Sequence, residues 1–186
     1  LGLLKPTSGT ASLLGYNILE RDQLREAKRR LGHVPGNLGF YETKTGREIL
    51  EYYGSLRSDE RRQELLDIFE FPLERSVEEY SRGNRQKLAI VQAFMHDPDL
   101  VVMDEPTAML DLPGKRLFRR LVNPLPQRVM LATHDLDLVR DCERVLVLDE
   151  GRVIADDGPE AAVAAYIDLV DSYDAAQRET GAEAAA

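Results

Sequence analysis

Along the 186-residue chain, apolar positions recur at two spacings. One is the three-to-four-residue interval of an amphipathic helix, the other the unbroken apolar run of a buried strand. "TASLLGYNI" (10–18) predicts a short edge strand, and the charged "LERDQLREAKRR" (19–30) a solvated helix. "LGHVP" is a short strand closed by Pro35. From Thr43 the helical interval takes over, with Ile49, Leu50 and Tyr53, then Leu65, Leu66 and Phe69, forming inward stripes of two helices. A third helix is predicted from Ser81, whose hydroxyl can cap the first turn, to just before Pro98. Then comes the all-apolar "LVVM" (100–103), which has the pattern of a central parallel strand covered on both faces. "LFRRLV" predicts a helix, "RVMLAT" (128–133) another buried strand and "DLDLVRDC" another helix. "RVLVLDEGRVIADDG" predicts a hairpin, "PEAAVAAYIDLV" a helix opened by Pro159, and residues 171–186 a frayed, disordered acidic tail. Strands alternating with helices give an α/β layer fold with a mostly parallel sheet.

Ligands of such sheets bind beyond the carboxyl ends of the strands. "LVVMDEPTAMLD" (100–111) carries Asp104 and Glu105 to that edge. One acid there can hold a hard cation such as Mg²⁺ together with a nucleotide's oxygens, and its neighbour can position or deprotonate water. An Asp-Glu pair at a strand end is by itself commonly a turn. "RVMLATHD" repeats the arrangement, with His134 just past an apolar run. A neutral imidazole there suits donation to developing phosphate charge.

Composition narrows the partners. With 33 acids against 24 bases the net charge is −9, which argues against a nucleic-acid surface, where clustered Lys and Arg are needed. No run approaches the ~18 apolar residues of a membrane span, so work at a membrane needs a partner chain. The single Cys142 excludes an intrachain disulfide and a multi-cysteine zinc site, which points to a reducing, intracellular compartment. The opening "LGLLKPTSGT" reads as a helix end and turn, and the chain as a piece of a longer protein.

"YSRGNRQKLAIVQAFMHDPDLVVMDEPTAMLD" (80–111) resembles the signature helix, Walker B strand and D-loop of ABC-type ATPases, and "ATHD" resembles their histidine switch. "LGLLKPTSGTASLLGYNI" looks like the segment after the Walker A helix, and "VLVLDEGRVIADDGPEA" like the closing hairpin. The signature form, in place of the commoner LSGGQ, is similar to ABC-2 exporters. The resemblance implies a P-loop ATPase-type sheet flanked by helices, with an inserted helical subdomain (42–96) and a discontinuous core (1–41 and 97–170). It implies Asp104 as the Mg²⁺ carboxylate, Glu105 as catalytic base and His134 as switch histidine. Ser81 and Gly83 would reach ATP held by the opposite subunit, with Asp111 at the seam. The implied partners are a second nucleotide-binding subunit, in a homo- or heterodimer, and transmembrane permease chains, with no nucleic acid. The implied place is the cytoplasmic face of the membrane. Other readings are a soluble ABC-type ATPase acting on nucleic acid or ribosomes, and a non-catalytic regulatory relative.

Three departures matter. No G-x-x-x-x-G-K-[ST] occurs, so the phosphate cradle is absent and the fragment alone is expected to bind ATP poorly. Gly36 stands where the family usually has Gln, with Asn37 next to it. Arg82 and Asn84 replace the Gly and Gln of the commoner signature. Tyr52, Tyr53 and Phe71 are expected mainly in the core, any exposed ones being available to a partner's helix.

Overall fold

The structure, a computed structural model, describes residues 2, 4, 6–123 and 127–183. Its contacts divide the chain into Leu1–Ala132 and Thr133–Ala186. This division does not follow the borders of the predicted helical insert, which lies wholly in the first unit.

The first unit opens on a tight hairpin, β1 (Ser12–Leu13) and β2 (Tyr16–Asn17), where one continuous strand was expected. Leu14 and Gly15 both adopt positive φ, the backbone of a two-residue turn whose twist suits antiparallel strands. Helix α1 (Arg21–Arg29) leads into β3 (Leu31–Val34). Strands β3, β4 (Leu100–Asp104) and β5 (Arg128–Ala132) form a parallel sheet in that order, with His33 opposite Val102 and Asp104 opposite Ala132. Val101 and Met103 of β4 are buried while Leu100 and Val102 are partly exposed. The strand expected to be buried at 128–133 is instead the sheet's edge, and Met130 is 64% exposed. Its apolar run reflects a strand with no neighbour on its outer side among the described residues.

Between β3 and β4 run α2 (Gly46–Leu56), α3 (Arg62–Ile68), a 3₁₀ turn (Val77–Glu79) and α4 (Arg82–Phe94). Thr45 and Glu48 form a reciprocal cap at the start of α2, satisfying two N–H groups that the first turn leaves open. Leu50, Leu65, Phe69, Leu88, Ile90 and Phe94 make the core of this insert. Tyr52, by contrast, is 54% exposed, with its ring edge on Tyr53.

His96, just past α4, ties this insert to the sheet. Its Nε2 lies 2.9 Å from an Arg57 guanidinium nitrogen, which also donates to the Leu31 carbonyl at 2.8 Å. Nε2 also lies 3.2 Å from that carbonyl, so the imidazole sits between a donor-only guanidinium and an acceptor-only oxygen. Burial, with Arg57 beside it, pushes the His96 pKa down, against a smaller opposing pull from Asp97 and two backbone bonds. The unfolded chain therefore binds a proton the folded chain refuses. His96's contribution to stability is complete above about pH 6.5 and is lost as pH falls through and below that value. Urea midpoints measured from pH 7.5 to 5 are expected to decline less steeply in His96→Gln; an unchanged slope would count against this account.

In the second unit, α6 (Leu136–Val139) precedes a hairpin of β6 (Val145–Asp149) and β7 (Arg152–Asp157), turned by Glu150 and Gly151 at positive φ. Helix α7 (Pro159–Glu183) packs along it, and the Tyr173 hydroxyl donates to Asp149 at 2.8 Å. The helix continues through Glu183 where a disordered tail was expected, because "DAAQRETGAE" consists largely of good helix formers. Residues 184–186 of that expectation lie outside the described residues. Among the described residues no helix is long and apolar enough to cross a membrane.

Candidate functional site: the carboxyl end of the parallel sheet

Strand β4 delivers Asp104 to its end with the carboxylate exposed, and the pairing runs one residue further, where the Glu105 N–H donates to the Ala132 carbonyl at 2.8 Å. Glu105 itself has φ +47°, a left-handed backbone costly for a residue with a side chain. The two acids are thus separated by a turn of the main chain, in place of the alternation of an extended strand. Strained backbone of this kind persists where surroundings hold it, and here ladder bond and turn do so. The following loop is knit by Ala108 N–H to Glu105 and Leu110 N–H to Thr107, with Thr107 only 2% exposed. It ends on Asp111, whose carboxylate accepts from Gly114 N–H at 2.9 Å and caps α5 (Leu112–Val122).

Beside Asp104 runs the loop leaving β3. A side-chain carbon on Gly36 would lie 2.6 Å from Asp104 Oδ2, so the absence of a side chain lets the main chain pass against the carboxylate. Where the resemblance leads one to expect a Gln, the position thus carries no side chain. His33 of β3, which the sequence reading assigned only to a strand, also senses Asp104. Burial lowers its pKa and the carboxylate's charge opposes that. No sequence signal marks it, since a strand histidine looks like any half-buried one. Among the described residues no group of three or more His, Cys, Asp or Glu is placed to hold a metal. One exposed carboxylate beside open backbone fits a hard, water-rich cation such as Mg²⁺, which takes one or two protein carboxylates and draws its other oxygens from water and a phosphate ligand.

Ser81 caps α4, its Oγ accepting from Asn84 N–H at 3.2 Å. A side-chain carbon on Gly83 would stand 3.3 Å from the Met109 carbonyl, so the start of α4 abuts the loop between Glu105 and Asp111. Asp104, Glu105, Ser81, Gly83 and Asp111 thereby belong to connected parts of one unit. His134 falls in the second unit, exposed, in a turn where Thr133 Oγ1 accepts from Asp135 N–H at 3.1 Å and Asp135 caps α6. A cavity of about 280 Å³ is bordered by Pro35, Leu38 and Phe40 of the β3 exit, by Tyr53 of α2 and by Arg57 just past it.

A three-stranded parallel sheet whose central strand ends in adjacent acids, with a capped helix start against the loop that follows, is an α/β layer fold that gathers its polar groups at the carboxyl ends of the strands. Comparison with known proteins specifies the family. Residues 1–108 match the ABC transporter family, and the chain belongs to it. It is 31% identical over 165 residues to the ABC transporter ATP-binding protein NatA of Bacillus subtilis, covering 82% of this chain and 66% of that one. Against Nod factor export ATP-binding protein I of Mesorhizobium japonicum it is 35% identical over 179 residues, 90% of this chain and 52% of the other. Among solved structures, an ATP-binding subunit of an ABC transporter superposes with TM-score 0.74 at 29% identity, over 84% of this chain and 70% of that one. A dimeric ATP-binding cassette in a post-hydrolysis state with ADP and Pi superposes with TM-score 0.72 at 26% identity, over 85% and 76%. The chain spans about half to two thirds of the length of these two curated relatives.

Proposed function

We propose that the chain is the larger part of an ATP-hydrolysing subunit that powers transport through separate membrane-spanning partners. The observation that carries this reading is the pair at the end of β4: an exposed Asp104 against side-chain-free Gly36, followed by Glu105 on a left-handed turn. Asp104 would hold Mg²⁺, which would supply neutralisation of phosphate charge. Glu105 accepts a proton from the attacking water, and His134 donates a hydrogen bond to the terminal phosphate. Ser81 and Gly83 meet the nucleotide of a second such subunit, in a homo- or heterodimer, because free N–H groups and the positive dipole end at the start of α4 suit an anion. Asp111 lies at that seam. The ATPase core is residues 1–41 and 97–170, and the helical subdomain 42–96 receives a permease's cytoplasmic helix. The cavity beside Tyr53 and the exposed Tyr52 suit that docking. The subunit sits peripherally on the cytoplasmic face of the membrane, and nucleic acid is not its partner.

The phosphate loop lies upstream of Leu1 in this reading, so the 186-residue chain alone neither retains nor hydrolyses ATP. The test compares this chain with a protein extended upstream through a G-x-x-x-x-G-K-[ST] loop. Mg²⁺-dependent phosphate release is expected from the longer protein only. Turnover by the short chain, or none by a folded longer one, rejects the reading.

A further inference from the structure

Tyr80 precedes the Ser81 cap, at the position where the commoner signature LSGGQ has Leu, and its hydroxyl lies between two stretches of main chain. It donates to the Pro72 carbonyl at 2.7 Å and packs against Gly46. The ring is 6% exposed and meets Phe71 edge to face at 5.9 Å. Gly46 opens α2, directly after the Thr45 cap. Gly46 must lack a side chain for this packing: a carbon there would lie 2.3 Å from the Tyr80 hydroxyl oxygen.

The same seam is bonded along its length. Val77 N–H donates to Lys44 and Glu78 N–H to Glu42, Thr45 bridges Ser76, and the Arg85 guanidinium meets the Glu42 carboxylate at 2.9 Å. Residues 42–46, which continue the loop leaving β3, are therefore stitched to residues 76–80, which lead into α4. Tyr80 is the last stitch before Ser81. Leucine would fill the apolar space but leave the Pro72 carbonyl without this partner, and a buried group so orphaned is costly.

We infer that Tyr80 is a positioning residue: its hydroxyl fixes the start of α4, and through it the Ser81 hydroxyl, relative to the loop that leaves β3. Its consequence at the nucleotide rests on the dimer proposed above. Tyr80→Phe keeps the ring and removes the hydrogen bond to Pro72. In the 186-residue chain, amide exchange at Asn84, which donates to Ser81, is expected to quicken about fivefold, the fold-change of one lost hydrogen bond. Amides of Leu88 to Val91 should not change. In the upstream-extended protein carrying Glu105→Gln, Tyr80→Phe is expected to weaken ATP-driven association by a similar factor while a single subunit's ATP affinity holds. Unchanged exchange at Asn84 overturns the inference, and so does quickened exchange with unchanged association. If the Tyr80-containing protein itself fails to associate with ATP, the dimer reading falls and the exchange measurement alone decides the role of Tyr80. Should the Phe variant not fold, Tyr80→Leu replaces it. There Gly46→Ala should be milder than in the Tyr80 background, and equal effects in the two backgrounds count against the hydroxyl's role.

Discussion

Glu105→Gln is expected to lower ATP turnover of the upstream-extended protein by about 10²- to 10⁴-fold, the contribution of a positioned general base. The substitution is nearly isosteric, and the bond from residue 105 to the Ala132 carbonyl is made by backbone N–H, so the left-handed turn survives it. What disappears is the basicity proposed for the side chain, while Asp104, one residue earlier, keeps the carboxylate proposed to hold the cation. Nucleotide affinity should therefore hold, and an ATP-loaded dimer should accumulate because its breakdown is blocked. Phosphate release under saturating Mg-ATP, together with sizing of the loaded protein, checks both halves. Turnover within about threefold of the parent's would remove Glu105 from the role of base, since a factor that small is far below what proton transfer contributes.

Gly32→Ala should have the largest effect on stability. Gly32 sits in β3 opposite the buried Val101 of β4, and α4 crosses so closely that an added carbon would stand 2.2 Å from the Ala93 carbonyl oxygen and 3.2 Å from Pro98. The obstacle is main chain in a helix end, which cannot swing aside as a side chain can. Relief requires α4 to lift from the sheet, carrying with it Phe94 and the Leu31–Arg57–His96 contacts beside it. Overpacking typically costs about 1–3 kcal/mol, and with backbone on the far side the upper end or beyond is expected. A urea titration reads this as a lower midpoint with an unchanged slope. A loss below about 0.5 kcal/mol, the size of an ordinary surface change, would mean the two elements are not packed this tightly. Ala at Gly39, which has nothing near it, is the control.

Much of the arrangement was legible because its causes are local. Ser81 followed by a helical stripe announced the cap and start of α4, and Pro98 its end; the structure places α4 at Arg82–Phe94. The β4 run and its acids were readable because apolar residues that stop abruptly at charges mark where a buried strand meets solvent. Other features depended on what comes alongside. "RVMLAT" has the composition of a buried strand, yet exposure is set by whether a neighbour covers it. The break in residues 10–18 turned on Leu14 accepting a positive φ, which a sequence window gives little reason to expect. The helix beyond residue 170 was missed because acidic, Ala-rich composition suits a solvated tail and a helix equally, and packing of α7 on the hairpin favours the helix.

By itself the sequence determined the order of elements, the acids at the strand end, the capping residues and the family, because each depends on residue type at short spacing. Only the tertiary structure decided that Gly36 lies against the Asp104 carboxylate, that Gly83 comes close to the Met109 carbonyl and that the Tyr80 hydroxyl bonds the Pro72 carbonyl beside Gly46. Those contacts join residues tens of positions apart, and their closeness follows from how helices and strands pack, which no local pattern encodes.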